Sequence, residues 1–110
     1  MTRKAVVRRS RAQKDIERAA DHYFAEGGTA LELRFIDALH AAVTRIATNP
    51  GVGSQRYAAA LAIPGLRFWR LTRFPYLIFY VEREDQVDIW RVLHEQRDIP
   101  RRFAPEAGAA

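Results

Sequence analysis

Arg67–Phe103, RFWRLTRFPYLIFYVEREDQVDIWRVLHEQRDIPRRF, holds three runs rich in aromatic and β-branched residues, Arg67–Arg73, Tyr76–Glu82 and Val87–Leu93. Such runs favour strands. They are separated by Phe74-Pro75, where the missing amide hydrogen of proline bars a strand interior, and by the charged turn Arg83-Glu84-Asp85-Gln86. The spacing predicts an antiparallel meander. Its middle run is apolar in both registers: Tyr76, Ile78 and Tyr80 point one way while Leu77, Phe79 and Val81 point the other. Both faces of that strand therefore need cover, or one of them is left for a partner.

Upstream of the meander, Gly51–Leu66 carries Gly, Ser, Pro and a small-residue run, and reads as a loop with one helical turn. Before it lie two amphipathic helices. Ser10 and Gln13 have capping-box spacing, followed by a stripe of Ala12, Ile16, Ala19, Ala20 and Tyr23; Gly27-Gly28 ends the first helix. Phe35, Ile36, Leu39, Val43 and Ile46 repeat the stripe as far as Asn49-Pro50-Gly51. A glycine pair between two such helices predicts an antiparallel helical hairpin. Ala5-Val6-Val7, inside Arg3–Arg9, is a short strand with basic flanks. The expected fold is a two-layer α+β domain of order β-α-α-β-β-β over residues 1–103, with 104–110 as a disordered tail. Since two helices can cover only one face of the sheet, either the loop at 51–66, the C-terminal segment or a partner must cover the other.

The chain has 110 residues and no cysteine, so disulfide and thiolate chemistry are excluded. Its apolar run Tyr76–Val81 falls far short of the ~20 residues a membrane-spanning helix needs. With no leader-like segment at the N-terminus, a cytoplasmic location without membrane contact is expected. A net charge of +5 rests almost wholly on arginine, Lys4 and Lys14 being the only lysines. The planar fork of arginine suits carboxylate and phosphate alike, so an acidic peptide and a nucleic acid are both candidate partners.

Chemistry is harder to find. His22, His40 and His94 fall on different elements without paired spacing, which argues against a metal site, and nothing calls for a cofactor. No serine or cysteine nucleophile with a base, glycine-rich phosphate loop or carboxylate pair is visible. His94, with Arg91 and Arg97 close in sequence, is the one histidine placed to exchange a proton with a phosphodiester; a strand-end histidine bonded to backbone is the alternative. Asp98 before Ile99-Pro100 suits a helix cap. Arg67, Arg70, Arg73, Arg91, Arg97, Arg101 and Arg102 are interleaved with Phe68, Trp69, Trp90 and Phe103. Alternation splits them between faces, with Arg67 and Arg73 beside Trp69 and opposite Phe68 and Arg70. A single RNA-binding platform is correspondingly weakened.

Taken in order, Asp15-Ile16, Tyr23-Phe24, Ala30, Phe35, Asn49-Pro50-Gly51, Ile63-Pro64-Gly65-Leu66-Arg67, Phe74-Pro75-Tyr76-Leu77-Ile78-Phe79-Tyr80, Arg91-Val92-Leu93-His94 and Arg97-Asp98-Ile99-Pro100 resemble the RelE/ParE superfamily of type II toxin-antitoxin toxins. The last two segments are similar to the ParE branch in particular. The resemblance implies a helical hairpin on one face of an antiparallel sheet whose first strand lies beside the last. It also implies a cognate antitoxin of ribbon-helix-helix type, which would contact operator DNA on the toxin's behalf. Residues Arg67, Trp69, Arg70, Arg73, Tyr76, Ile78, Tyr80 and Trp90 would meet that antitoxin. For ParE-like members the implied target is DNA gyrase, bound through Arg97, Arg101, Arg102 and Phe103. RelE-like members instead cut mRNA on the ribosome, and His94, Arg91 and Arg97 would be the catalytic set under that alternative. Phe103 stands where ribonuclease members tend to place a tyrosine, and it has no hydroxyl to move a proton.

Overall fold

The computed structural model describes residues 3–99, so the expectations for Arg101, Arg102, Phe103 and the tail at 104–110 lie outside the described residues. The chain runs β1 (Ala5–Arg8), α1 (Ser10–Thr48), a 3-10 turn (Pro50–Val52), β2 (Leu66–Arg70), β3 (Tyr76–Glu82) and β4 (Gln86–His94). The two expected helices are a single helical segment folded back on itself. A straight helix of this length would extend about 58 Å at 1.5 Å per residue, whereas the longest dimension of the described chain is 38 Å. The fold-back is at Gly27 (φ −141°, ψ 15°) and Gly28 (φ 69°, ψ −162°), and it brings the rings of Tyr23 and Phe35 to 5.2 Å. A Cβ on Gly27 would sit 2.7 Å from that of Leu31, and Gly28 occupies a region of backbone space that essentially only glycine enters. The expected cap at Ser10 is not formed. Arg9 is the N-cap without a side-chain bond, and the Gln13 side chain instead engages Arg8 and Glu17.

The sheet order is β1-β4-β3-β2, with β2-β3 and β3-β4 antiparallel. β1 does lie beside the last strand, but parallel to it, Ala5 pairing with Gln86 and Arg8 with Ile89. The all-antiparallel sheet expected from the resemblance is therefore mixed. The two arms of α1 cancel each other's direction, and the amide of Lys4 donates to the carbonyl of Ala47 (3.0 Å), so the helical segment returns to the end at which β1 began. β2 starts from that same end.

The first arm of α1 contributes Ala12, Ile16, Ala19 and Ala20, and the second Phe35, Leu39, Ala42 and Ile46, to a core shared with Tyr76, Ile78, Tyr80, Val87, Ile89 and Val92. The opposite face buries Leu66, Leu77, Phe79, Val81 and Leu93 beneath Leu61, with Tyr57, Ile63, Phe68, Trp90 and Ile99 packed around them. The segment after the helices thus covers the second face, and the apolar surface considered above as a partner platform is interior. Between Phe79 and Tyr80 the register with β4 slips from Arg91 to Ile89, leaving Trp90 as an extra residue. This bulge puts Ile89 and Val92, three positions apart, on the same core face.

Candidate functional site

β1 ends where the amide of Arg9 donates to the carbonyl of Ile89 (2.9 Å), and among the described residues the rest of β4 has no strand on that side. Asp15 takes over. Its Oδ2 accepts from the amide of Val92 (3.0 Å) and from Nε of Arg91 (2.7 Å), while Oδ1 accepts from Nη2 of Arg91 (3.0 Å). Asp15 and Arg91 are each 6% exposed. A two-pronged, charge-assisted pair in low dielectric holds the helix to the sheet and leaves the Arg91 fork committed. Arg91, expected in the catalytic set of the ribonuclease alternative, thus has its fork engaged by Asp15.

The chain leaving β4 forms a reciprocal turn. The amide of His94 donates to Oδ2 of Asp98 and the amide of Asp98 to the carbonyl of His94, while Nδ1 of His94 accepts from the amides of Gln96 (3.2 Å) and Arg97 (3.3 Å). Asp98 therefore closes the turn that precedes it. With Nδ1 an acceptor, a neutral ring carries its proton on Nε2. Burial, and then the charge of Arg97, push the His94 pKa below its ordinary 6.5, so the ring is neutral at pH 7. The backbone-bonded histidine is the reading that the geometry supports.

Most of the residues expected to meet a partner are engaged inside the chain. Tyr76, Ile78 and Tyr80 are 5%, 0% and 0% exposed and pack under α1, so they offer no apolar face to a partner. Tyr80 is a latch: its hydroxyl donates to the carbonyl of Pro50 (2.7 Å) and accepts from the amide of Gly53 (2.9 Å). Burial raises the pKa of that hydroxyl, which keeps its proton in place. Nη1 of Arg67 donates to the carbonyls of Gly53 (2.8 Å) and Gly51 (3.2 Å), completing the clasp on the loop. Trp69 is half-buried against the core with the Arg45 guanidinium 5.9 Å from its ring, and Trp90 lies under the Arg9 guanidinium at 4.0 Å. Arg70 reaches the surface and pairs with Glu95 at 2.8 Å. Arg73, at φ 70°, is exposed on the loop between β2 and β3 beside Phe74. Arg97 is exposed, with Nη2 3.4 Å from the hydroxyl of Tyr76. Among the described residues no group of three His, Cys, Asp or Glu side chains is gathered that could hold a metal ion.

Residues 6–99 match the family described as ParE toxin of type II toxin-antitoxin system, parDE. The chain belongs to the ParE toxin family. A solved structure titled "Chromosomal ParDE TA system from P. aeruginosa" shares its fold, with a TM-score of 0.69 and 20% identity, covering 83% of this chain and 95% of that one. No protein with a curated description matches. Among the described residues, no helix of this ParE-family chain is long and apolar enough to cross a membrane.

Asp15, Arg18 and His22 are given no functional role by the sequence reading, in which Asp15 stands only within a motif and His22 only in the argument against a metal site. Arg18 and His22, which with Asp15 and Ala19 follow at offsets of three, four and seven on one helix face, line a cavity with Tyr76 and Arg97. That spacing was present in the sequence. The polar stripe, however, runs alongside the apolar one and looks like a solvated helix face.

Proposed function

We propose that this ParE-family chain is a toxin that inhibits DNA gyrase by direct binding and is neutralised by a cognate antitoxin. The family match supports the toxin class, and the Asp15–Arg91 pair is the observation that favours gyrase over RNA as the target. Metal-free RNA cleavage needs a base, an acid and free cations around the phosphorane. Here Arg91 is buried against a carboxylate and Nδ1 of His94 is held by two amides, which argues against the use of either in ribonuclease chemistry. The target contact in this reading uses Arg97 with Arg101, Arg102 and Phe103. The antitoxin contact uses the members of the expected set that reach the surface, Arg70 and Arg73, with the outer edges of Trp69 and Trp90. An acidic antitoxin segment complements these arginines, and its association rate should fall as salt rises.

The test measures gyrase supercoiling and ribosome-bound mRNA cleavage by the full chain, by His94→Asn and by a chain truncated after Asp98. The asparagine keeps an acceptor for the turn, and the truncation leaves β4 intact. Expected results are inhibition of supercoiling by the full chain and by His94→Asn, none by the truncated chain, and intact mRNA throughout. Cleaved mRNA, lost in a folded His94→Asn protein, would overturn the proposal and establish an endoribonuclease.

A further inference from the structure

A cavity of about 200 Å³ opens between the first arm of α1 and the end of the sheet, walled by Arg18, Ala19, His22, Tyr76 and Arg97. We infer that it is a binding site for a phosphate-class oxyanion, either free phosphate or the phosphate of a small phosphomonoester. The site shares Arg97 with the gyrase contact proposed above, but phosphate binding by the free chain is read without gyrase, so either reading can fail alone.

The cavity exists because Ala19, 3% exposed, has only a methyl group where a larger residue would fill the space between helix and sheet. Two carboxylates also line it, and both are engaged elsewhere. Asp15 spends both oxygens on Arg91 and the amide of Val92, and Asp98 accepts from the amide of His94. The side chains that can donate are less committed. Arg18 and His22 lie one helical turn apart on the exposed rim, where His22 meets Glu26 at 3.6 Å and packs edge-on against the Tyr23 ring at 5.0 Å. Arg97 faces them from the turn after β4, its Nη2 making a long contact of 3.4 Å to the hydroxyl of Tyr76. That hydroxyl accepts from Arg97, so its own hydrogen is available to an acceptor within the cavity. Burial raises the Tyr76 pKa, which keeps that hydrogen present at neutral pH.

Two guanidinium groups, an imidazole and a phenol hydrogen line a space of this size and can surround a compact anion with donors. Guanidinium forks match the oxygen spacing of phosphate, and each charge-assisted bond is roughly twice as strong as a neutral one.

The experiment titrates the full-length chain with inorganic phosphate at constant ionic strength in chloride, following the side-chain resonances of Arg18, His22 and Arg97 by NMR. Saturable shifts confined to these residues, Tyr76 and Val92 are expected. Arg18→Gln and Arg97→Gln should each weaken binding by about tenfold, the loss of one charge-assisted bond. Ala19→Leu should abolish binding by filling the space with every charge retained; if that variant does not fold, the two glutamine variants still decide. Shifts scattered over arginines elsewhere, or wild-type binding by both glutamine variants, would overturn the inference. Nucleoside 5′-monophosphates distinguish the source. Tighter binding than inorganic phosphate assigns the site to nucleotide phosphates, and equal or weaker binding assigns it to free phosphate.

Discussion

Replacing Asp15 by alanine removes the acceptor of three hydrogen bonds, at 2.7, 3.0 and 3.0 Å, and takes the Asp15 carboxylate away from the charge of Arg91, buried at 6% exposure. Breaking a buried pair from one side costs about 3–5 kcal/mol, because the surviving charge keeps its desolvation penalty without its partner. A domain of this kind is stable by only about 5–15 kcal/mol. At roughly 4 °C per kcal/mol the melting temperature should fall by about 12–20 °C. Removing both partners, as Asp15→Ala with Arg91→Met, takes away the buried charge, so the double variant should be more stable than the sum of the singles by about 2 kcal/mol. Asp15→Asn, which keeps an oxygen for the amide of Val92, should fall between wild type and Asp15→Ala. Urea unfolding of the four proteins, with slopes compared to check that the denatured state is unchanged, measures the cycle. A loss below about 1 kcal/mol for Asp15→Ala, or strict additivity in the double variant, would show that Asp15 does not anchor the helix to the sheet through Arg91.

Tyr80→Phe leaves the amide of Gly53 without its acceptor and should cost about 1–3 kcal/mol. Gly53→Ala, whose Cβ would lie 2.5 Å from the Tyr80 hydroxyl and 2.8 Å from the carbonyl of Phe68, should cost at least as much and expose the amides of residues 51–54 to hydrogen exchange. Gly28→Ala meets no neighbour within 4 Å, so a loss of about 1–3 kcal/mol in thermal unfolding would come from backbone strain alone, and a neutral result would refute that origin. The lowered pKa of His94 means that the unfolded chain takes up its proton first as pH falls below 6.5, so stability should decline from pH 7 towards 5. His94→Asn should flatten the decline in that window. Asp88, whose carboxyl burial would raise but which bonds from Gln86 and Arg83 hold low, and Glu95, held low by Arg70, destabilise the fold only on protonation at more acid pH, below their ordinary 3.8 and 4.5.

What the sequence by itself determined is what short-range physics controls. β3 occupies Tyr76–Glu82 as its continuous aromatic and aliphatic run and the preceding proline require, and the helical segment breaks at Gly27-Gly28 because the turn there needs a conformation closed to other residues. The core stripes of both arms follow the helical period for the same local reason. The direction of β1, the cover on the second sheet face and the phase of β4 were decided only by the tertiary structure. A bulge at Trp90 changes which side chains face α1, and period-two reading carried through it gives the wrong face for Val92 and Leu93. The meeting of Asp15 with Arg91, 76 positions apart, depends on β1 ending at Arg8, which leaves an open edge on β4 for a helix carboxylate to close. No local pattern encodes that edge. The unpaired amide of Val92 arises only once both strands and the helix are in place, and the same assembly sets Arg18, His22, Tyr76 and Arg97 around one cavity.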